Sequence, residues 1–335
     1  MARARSDNSL ARFDRIALVL SGGGALGAYQ AGACATLEGS GVRPNWIAGT
    51  AIGAVNAAIV AGNLPHERVF RLRQFWQQLG RHMSVRRALG RAGSWRAWLA
   101  GHAAAETPLR PGVLRDLMLA ATDFDRINSG AVRLVLGAVN QLTGAETYFD
   151  NDRHVLTPEH VLASTALPGL PATEIDGQRY GGSAVSVAAL DEARPADTLC
   201  FVIDGYDPLP GGQGGVSRSA REIAALRRNH DLRRIVALLG ERVPAAQRRD
   251  ADIRKCLAEA SEATMTILHL VHEGSAEGLA AKVGDFSAAA VLRRWQAGES
   301  DAATSLAQPL WLAPPPRRLG VVVHELRGGV AAPPK

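Results

Sequence analysis

With 335 residues, of which 47% are hydrophobic and 21% charged, the chain is a folded protein of one large domain with additions, or of two small domains. Its net charge of +6 is compatible with an acidic partner. No Lys/Arg-rich run lies beside aromatic residues in a nucleic-acid motif, so nucleic acid is not a predicted partner. Three cysteines lie far apart without CxxC spacing, which predicts reduced thiols and no zinc site.

The sequence contains no recognisable targeting or membrane segment. Residues 1–14 are charged and lack the apolar core of a secretory signal. The longest apolar stretch, 47–62, is rich in Ala and Gly, whereas a membrane span takes about 20 strongly apolar residues. We therefore expect a cytoplasmic protein, or one that is peripheral to a membrane.

The first part of the chain alternates short apolar runs with helical segments. A buried strand is predicted at 16–20 and a helix at 26–37, followed by a strand at 45–48 and a small-residue helix at 52–61. Glycine turns join each strand to the following helix. This order is typical of a parallel α/β sheet.

The later elements are more widely spaced. We predict a helix at 66–99, strands at 132–139 and 146–149, a helix at 157–164, a strand at 199–203, helices at 219–239 and 251–264, and a strand at 267–271. The glycine-rich loop 211–215 is the best candidate for a domain boundary. The predicted organisation is a domain at 15–205 with a helical insertion at about 66–125, an α-rich extension at 216–312, and flexible tails at 1–14 and 314–335.

A glycine loop follows the first predicted strand and contains Gly22, Gly23, Gly24 and Gly27. It satisfies G-x-G-x-x-G, but a dinucleotide site also needs a carboxylate at the end of the second strand, where none occurs. The other use of such a loop is an oxyanion hole, in which backbone N–H groups and the positive end of a helix stabilise a developing negative oxygen. The sequence favours the oxyanion hole.

A second glycine turn follows about 25 residues later and matches the G-x-S-x-G nucleophile elbow at every position except the centre. It consists of Gly49, Thr50, Ala51, Ile52 and Gly53. The central residue of an elbow carries the hydroxyl that attacks an acyl carbonyl, and a methyl group cannot do so. The pattern therefore predicts the turn without its nucleophile.

Together these segments resemble the bacterial patatin-like phospholipases. The resemblance rests on 20–27, 28–32 and 49–54, with 163–169 similar to the segment that precedes the family's catalytic aspartate. It covers roughly 15–190, and the later stretch is similar to the C-terminal extension of one bacterial patatin subgroup. The family implies a three-layer α/β/α sandwich with a mainly parallel sheet, a serine–aspartate dyad, and the glycine loop as oxyanion hole.

Carried over by position, the dyad serine falls on Ala51. The aspartate belongs to a D-G-[GA] motif, which here falls on Gly182 in the better register and on Gly181 in the alternative one. Both dyad residues are therefore missing. Ala51 is either natural or a substitution of serine, and the second loss favours natural decay.

Other side chains could in principle replace the dyad. Ser21, Ser183 and Asp176 are interpreted as turn or capping residues, because a nucleophile needs a base within about 3 Å. Cys34 is interpreted as a buried structural thiol. His230, His269 and His272 lack metal-ligand spacing and are interpreted as surface or packing residues, so no metal and no cofactor is predicted.

A basic and aromatic stretch at 66–100 suits contact with an anionic membrane, although an amphipathic cap with inward tryptophans is the more frequent use of such a pattern. It contains Arg71, Arg73, Arg81, Arg86, Arg87, Arg91 and Arg96 with Trp76, Trp95 and Trp98. Both uses are compatible with a lipase ancestor.

Two functions from different classes remain open. The first is an inactive acyl-hydrolase scaffold that binds a lipid or acyl ester, or regulates a partner. The second is an active acyl hydrolase, either because the parent carries serine in place of Ala51 or because another group serves. A third, nucleotide binding, lacks the carboxylate it needs. The sequence predicts no oligomeric state.

Overall fold

The computed structural model describes residues 10–88, 111–165, 172–182, 187–191, 195–204, 218–272, 283–308, 311, 315, 319–327 and 330–331. The strands are β1 (Arg15–Leu20), β2 (Trp46–Gly49), β3 (Arg133–Val139), β4 (Glu146–Asp150), β5 (Thr173–Ile175), β6 (Gln178–Tyr180), β7 (Thr198–Asp204), β8 (Met265–Val271), β9 (Val321–Arg327) and β10 (Val330–Ala331). The helices are α1 (Gly27–Gly39), α2 (Ile52–Ala61), α3 (Pro65–Ala88), α4 (Pro111–Ala121), α5 (Phe124–Asn128), α6 (Pro158–Thr165), α7 (Arg218–Gly240), α8 (Ala251–Ala258) and α9 (Ala288–Ala307).

Within the described residues, eight strands form one sheet in the order β10-β9-β8-β7-β1-β2-β3-β4. Neighbours from β9 to β3 are parallel, whereas β4 and β10 pair antiparallel at the two edges. β5 and β6 form a separate hairpin. Because the carboxyl ends of parallel strands meet at one edge of a sheet, the loops after β1, β2 and β3 lie together with Asp204 at the end of β7.

Helices cover both faces of this sheet, as the alternation of side chains along each strand requires. On one face Leu20 and Phe201 pack into a core with α1, α2 and α3. On the other face Val19 packs into a second core with Ile223 and Leu226 of α7. The predicted three-layer α/β/α sandwich with a mainly parallel sheet is therefore confirmed.

The C-terminal region is helical, as predicted, and also contributes strands to the same sheet. β8 pairs with β7, and β9 pairs with β8. α9 packs closely on α1: a β-carbon at Gly32 would lie 2.0 Å from the carbonyl oxygen of Trp295, and one at Gly298 would lie 2.0 Å from that of Tyr29. Only glycine at both positions permits this approach of the two helices.

The predicted tails are wrong where the structure describes them. Residues 321–327 form β9 inside the predicted tail 314–335, because pairing with β8 and β10 satisfies their backbone groups. Leu10 and Phe13 of the predicted tail 1–14 are buried in the core. The predicted boundary loop 211–215 lies outside the described residues, so the division into 15–205 and 216–312 stays a prediction.

Two predicted helices are shorter than expected. The helix predicted at 251–264 ends at Ala258, and the carboxylate of Asp197 accepts the N–H of Thr264 at 2.7 Å where the chain turns into β8. The helix predicted at 66–99 is described as α3 up to residue 88, and 89–110 of the predicted insertion lie outside the described residues. In the described part of the chain, no helix combines the length and the apolar composition that a bilayer span requires.

Candidate active site

The predicted sharp turn forms between β2 and α2, with Ala51 at its apex. Ala51 has φ 52° and ψ −129°. Only one other described non-glycine residue has a positive φ. A residue with a β-carbon in so sparsely populated a conformation costs on the order of 1–3 kcal/mol. The turn thus keeps the strained backbone of a nucleophile elbow, while its central side chain is a methyl group.

Close backbone contacts explain both glycines of the elbow. A β-carbon at Gly53 would lie 2.2 Å from the carbonyl oxygen of Leu20 at the end of β1. One at Gly49 would lie 2.7 Å from Cα of Ala54 on α2. Helix α2 therefore starts directly against β1, and no residue larger than glycine fits at position 49 or 53 without moving the backbone.

Neighbouring backbone also fixes the apex of the turn. The N–H of Thr50 donates to the carbonyl of Leu20 at 3.1 Å, and the N–H of Ala51 donates to the carbonyl of Ser164 at 3.1 Å. Ser164 is fully buried, and its hydroxyl donates to the carbonyl of Gly137 on β3 at 2.6 Å. The end of α6 thus connects the elbow to β3.

The glycine loop passes directly over the nucleophile position. A β-carbon at Gly22 would lie 3.1 Å from the β-carbon of Ala51. Gly24 has φ 56°, which favours glycine. Within the described part of the chain, the N–H groups of Gly22, Gly23 and Gly24 donate to no protein acceptor. These amides are therefore available as donors beside Ala51, as an oxyanion hole requires.

Gly27 has a different structural role from the other three glycines of the loop. It begins α1, and a β-carbon there would lie 2.6 Å from the indole ring of Trp76. Its carbonyl accepts the side-chain amide of Asn56 at 2.9 Å. Gly27 allows the start of the helix to pack, and the free amides lie earlier in the loop.

A buried polar network holds the loop against the helices. Gln30 donates to the carbonyl of Ser21 at 2.6 Å. The indole N–H of Trp76 donates to Asn56 at 2.9 Å. Trp76 is fully buried, which matches the inward packing weighed for the 66–100 stretch, whereas Trp95 and Trp98 lie outside the described residues.

The aspartate position lies at the same edge of the sheet as the elbow. The N–H of Gly181 donates to the carbonyl of Val139 at the carboxyl end of β3, at 2.9 Å, and β3 is the neighbour of β2. Neither Gly181 nor Gly182 supplies a carboxylate. Gly182 has φ 91°, in the region that favours glycine, whereas Gly181 does not have a positive φ. The backbone therefore suits an aspartate better at Gly181 than at Gly182.

Of the two substitutes weighed near this position, the structure describes only Asp176. Asp176, predicted on a strand, instead lies in the turn of the β5–β6 hairpin with φ 51°. Its short polar side chain tolerates that conformation. Ser183 lies outside the described residues.

A second cluster at this edge was missed by sequence analysis. Asp204, at the end of β7, is buried, and its Oδ1 accepts the hydroxyl of Ser219 at 2.8 Å. The same Oδ1 accepts the hydroxyl of Ser21, the residue just before the glycine loop. His269 Nε2 donates to Asp204 Oδ2 at 2.7 Å. A carboxylate that directly follows a continuous apolar strand was the one signal that could have revealed it.

The imidazole of His269 contacts the carboxylate through Nε2 alone. Its Nδ1 is buried and has no hydrogen-bond partner among the described residues. Asp204 is thus held by three donors, from Ser21, Ser219 and His269. Among the described residues no group of three or more His, Cys, Asp or Glu side chains could hold a metal ion.

Cys34 and the other two histidines weighed as candidates have structural surroundings. Burial raises the pKa of the Cys34 thiol to about 12, so it is a poor nucleophile at neutral pH. His230 is buried on α7, and desolvation lowers its pKa. The ring of His272 packs against that of Tyr29, with centroids 4.7 Å apart and the ring planes tilted by 32°.

Comparison with known families gives two adjoining matches. Residues 18–206 match the family described as Patatin-like phospholipase, and residues 216–318 match a domain described as Patatin phospholipase. The first match alone spans more than half of the chain and contains the glycine loop, the elbow and Asp204. Among curated proteins, no significant match is found.

Two solved structures are similar to this chain at low sequence identity. VipD from Legionella pneumophila has 12% sequence identity and a TM-score of 0.36, over 84% of this chain and 67% of its own. ExoU of the Pseudomonas aeruginosa type III secretion system, solved in complex with SpcU, has 17% identity and a TM-score of 0.32. That match covers 64% of this chain and 47% of ExoU, so this chain spans about half the length of ExoU.

Proposed function

Because the chain belongs to the patatin-like phospholipase family, we propose that it binds a lipid acyl group at its glycine loop and does not hydrolyse it through the elbow. It acts as a lipid-binding or regulatory pseudoenzyme. The observation that carries the proposal is Ala51, which keeps the strained φ of 52° without a hydroxyl. The glycine loop lies against it, since a β-carbon at Gly22 would lie 3.1 Å from that of Ala51, and the N–H groups of Gly22, Gly23 and Gly24 have no acceptor among the described residues.

The chemistry that remains is recognition of a carbonyl or carboxylate oxygen. Backbone N–H groups at Gly22, Gly23 and Gly24 can donate to such an oxygen, and α1 adds the positive end of its dipole. No group at position 51 can form a bond to the acyl carbon, and none at 181 or 182 can take a proton. An oxyanion hole without its catalytic residues leaves roughly 10³–10⁴-fold catalysis over water, which is far below a working hydrolase.

The first experiment compares hydrolysis of a medium-chain nitrophenyl ester by the wild-type chain, Ala51→Ser, and the doubles Ala51→Ser/Gly181→Asp and Ala51→Ser/Gly182→Asp. We expect a silent wild type and turnover from the Gly181→Asp double. The Gly182→Asp double is its matched control, since the φ of 91° there disfavours an aspartate. Turnover by the wild type well above a heat-denatured sample would contradict the proposal.

Binding is measured separately with the fluorescent fatty acid cis-parinaric acid. Gly22→Ala places a methyl group 3.1 Å from the Ala51 side chain and beside the free amides, so it should weaken binding. Gly39→Ala is the control, because a β-carbon at Gly39 would meet nothing within 4 Å. If both variants bind the fatty acid equally well, the glycine loop is not part of the binding site.

A second candidate function, hydrolysis through Ser21, is favoured by the contact between its hydroxyl and Asp204. In this scheme Ser21 Oγ bonds to the acyl carbon while its proton passes to Asp204. The alcohol then leaves with that proton, and water releases the acid from Ser21. His269 holds the second oxygen of the carboxylate.

Two serine variants separate this candidate from a purely structural contact. Ser21→Ala and Ser219→Ala each remove one hydroxyl that donates to the same carboxylate oxygen. If Ser21 is the nucleophile, only Ser21→Ala abolishes ester hydrolysis by the wild-type chain. If the wild-type chain does not hydrolyse the ester, Ser21 is not a nucleophile and the cluster only anchors the start of the glycine loop.

A further inference from the structure

Helix α7 presents a row of large aliphatic side chains to solvent. Leu232, Ile235, Leu238 and Leu239 are 60%, 50%, 52% and 59% exposed. The opposite side of the helix is buried on the sheet through Ile223 and Leu226. We call the four exposed residues the α7 stripe. Contiguous exposed apolar side chains of this kind mark an interaction surface more often than scattered single ones do.

Basic residues continue the same face of the helix. Arg221, Arg228, Leu232, Ile235 and Leu239 follow one another at spacings of seven, four, three and four, which places them along one side. Arg221 and Arg228 are exposed, and so is Arg242, just beyond the helix end. Two carboxylates border the stripe: Asp231, which is half-buried, and Glu241, which is exposed next to Arg242. The face is therefore apolar, with exposed arginines toward both ends and an excess of positive charge.

The charges of this face disfavour a second copy of the chain as its occupant. In an antiparallel twofold pairing centred on Ile235, Arg228 of one copy would face Arg242 of the other. In a parallel pairing, Arg228 would face Arg228. Either arrangement brings like charges together as the stripe is buried, which costs free energy.

We infer that α7 docks the protein on an anionic lipid bilayer. The stripe would enter the interface, while the arginines reach the phosphates above it. A convex helix whose aliphatic residues stand out suits the continuous apolar layer of a bilayer better than a protein surface, which would need a matching groove. Phospholipids, the substrates that name the family, form such surfaces. This docking does not depend on whether the elbow is active.

The position of α7 relates the docked surface to the candidate active site. Ser219 at its start contacts Asp204 at the carboxyl end of β7, and the helix runs back along the sheet from there. The stripe begins near the amino edge of the sheet: the carbonyl of Arg233 accepts the N–H of Ser261, which precedes β8, and a β-carbon at Gly320, just before β9, would lie 3.4 Å from Cδ of Arg234. The docked surface and the glycine loop are therefore separate regions of the molecule.

Vesicle flotation with the full chain tests the inference, using phosphatidylcholine vesicles with and without phosphatidylglycerol. We expect flotation only with phosphatidylglycerol, and weaker flotation at high salt. Leu232→Gln/Leu239→Gln should weaken the affinity at least about tenfold, and Arg228→Gln/Arg242→Gln should remove the preference for anionic lipid. Leu142→Gln, at an 85% exposed leucine after β3, is the matched control and should float like wild type.

Three results would overturn the inference. One is a wild-type chain that floats with neither vesicle, which would leave an acidic protein as the occupant. Another is a stripe double variant that floats as well as the control. The third is a dimer, measured by light scattering, that the stripe substitutions convert to monomer, which would assign the stripe to a second copy.

Discussion

The elbow and the β7–β8 cluster lie at the same edge of the sheet and retain opposite halves of an active site. Ala51 has the backbone of a nucleophile without its hydroxyl. Asp204, Ser21 and His269 have a carboxylate, a hydroxyl and an imidazole in one hydrogen-bonded group, on backbone with no positive φ. One region keeps geometry without reactive groups, and the other keeps reactive groups inside a buried network.

The difference shows that the shape of the elbow does not depend on a reactive side chain at position 51. Backbone contacts of Gly49 and Gly53 fix the turn, and backbone hydrogen bonds fix its apex. None of these contacts involves the side chain at position 51. A serine can therefore be lost while the turn and the glycine loop persist. The β7–β8 cluster, in contrast, is held by the side chains themselves.

The largest effect is expected from Gly53→Ala. Its β-carbon would lie 2.2 Å from the carbonyl oxygen of Leu20, and neither backbone can move without displacing β1 or α2. We expect a loss of roughly 4 kcal/mol or more in the free energy of unfolding, or no folded protein. Urea titration followed by circular dichroism measures it. Gly39→Ala, in open space at the end of α1, is the control; a similar loss there would show that the contact at Gly53 is not the cause.

Asp204→Ala should have the next largest effect. Ser219 and His269 lose their acceptor in a buried site, and Ser21 keeps only the carbonyl of Ile203, 3.3 Å away. Leaving several buried polar groups unpaired costs roughly 3 kcal/mol in the free energy of unfolding. Ser219→Ala, which removes one donor and leaves the carboxylate two, should cost only about 1 kcal/mol. Equal stability of Asp204→Ala and wild type would show that the cluster contributes nothing to the fold.

Ala51→Gly should change stability in the opposite direction. Glycine relieves the strain of φ 52°, ψ −129°, and the relief exceeds the entropy that glycine adds to the unfolded chain. We expect a gain of about 1 kcal/mol in the free energy of unfolding, measured in the same titrations. A loss of stability would mean that the methyl group of Ala51 packs favourably enough to outweigh the strain.

The elements nearest the elbow were predictable because their signals are local. The apolar run at 16–20 and the glycine turn at 49–53 identify β1 and the elbow without knowledge of the rest of the fold. Asp204 and His269 lie on neighbouring strands far apart in sequence, so only the order β7-β8 brings them together. The choice between Gly181 and Gly182 likewise depends on a backbone angle that the sequence does not display.

The smallest effect is expected from His160→Gln. His160 lies on α6, the helix in which the carbonyl of Ser164 accepts the N–H of Ala51. Desolvation, and then the charge of His154, lower its pKa, and its ring lies 4.7 Å from that of Phe149. Below the ordinary histidine pKa of about 6.5 the unfolded chain binds a proton that the folded chain resists, so this contribution to stability falls as the pH falls. We expect a shallower loss of melting temperature from pH 7 to pH 5 in His160→Gln than in wild type, whatever the variant's stability at pH 7. An unchanged slope would mean that this imidazole titrates alike in the folded and unfolded chain, and that acid acts through other groups such as His230, whose pKa burial also lowers.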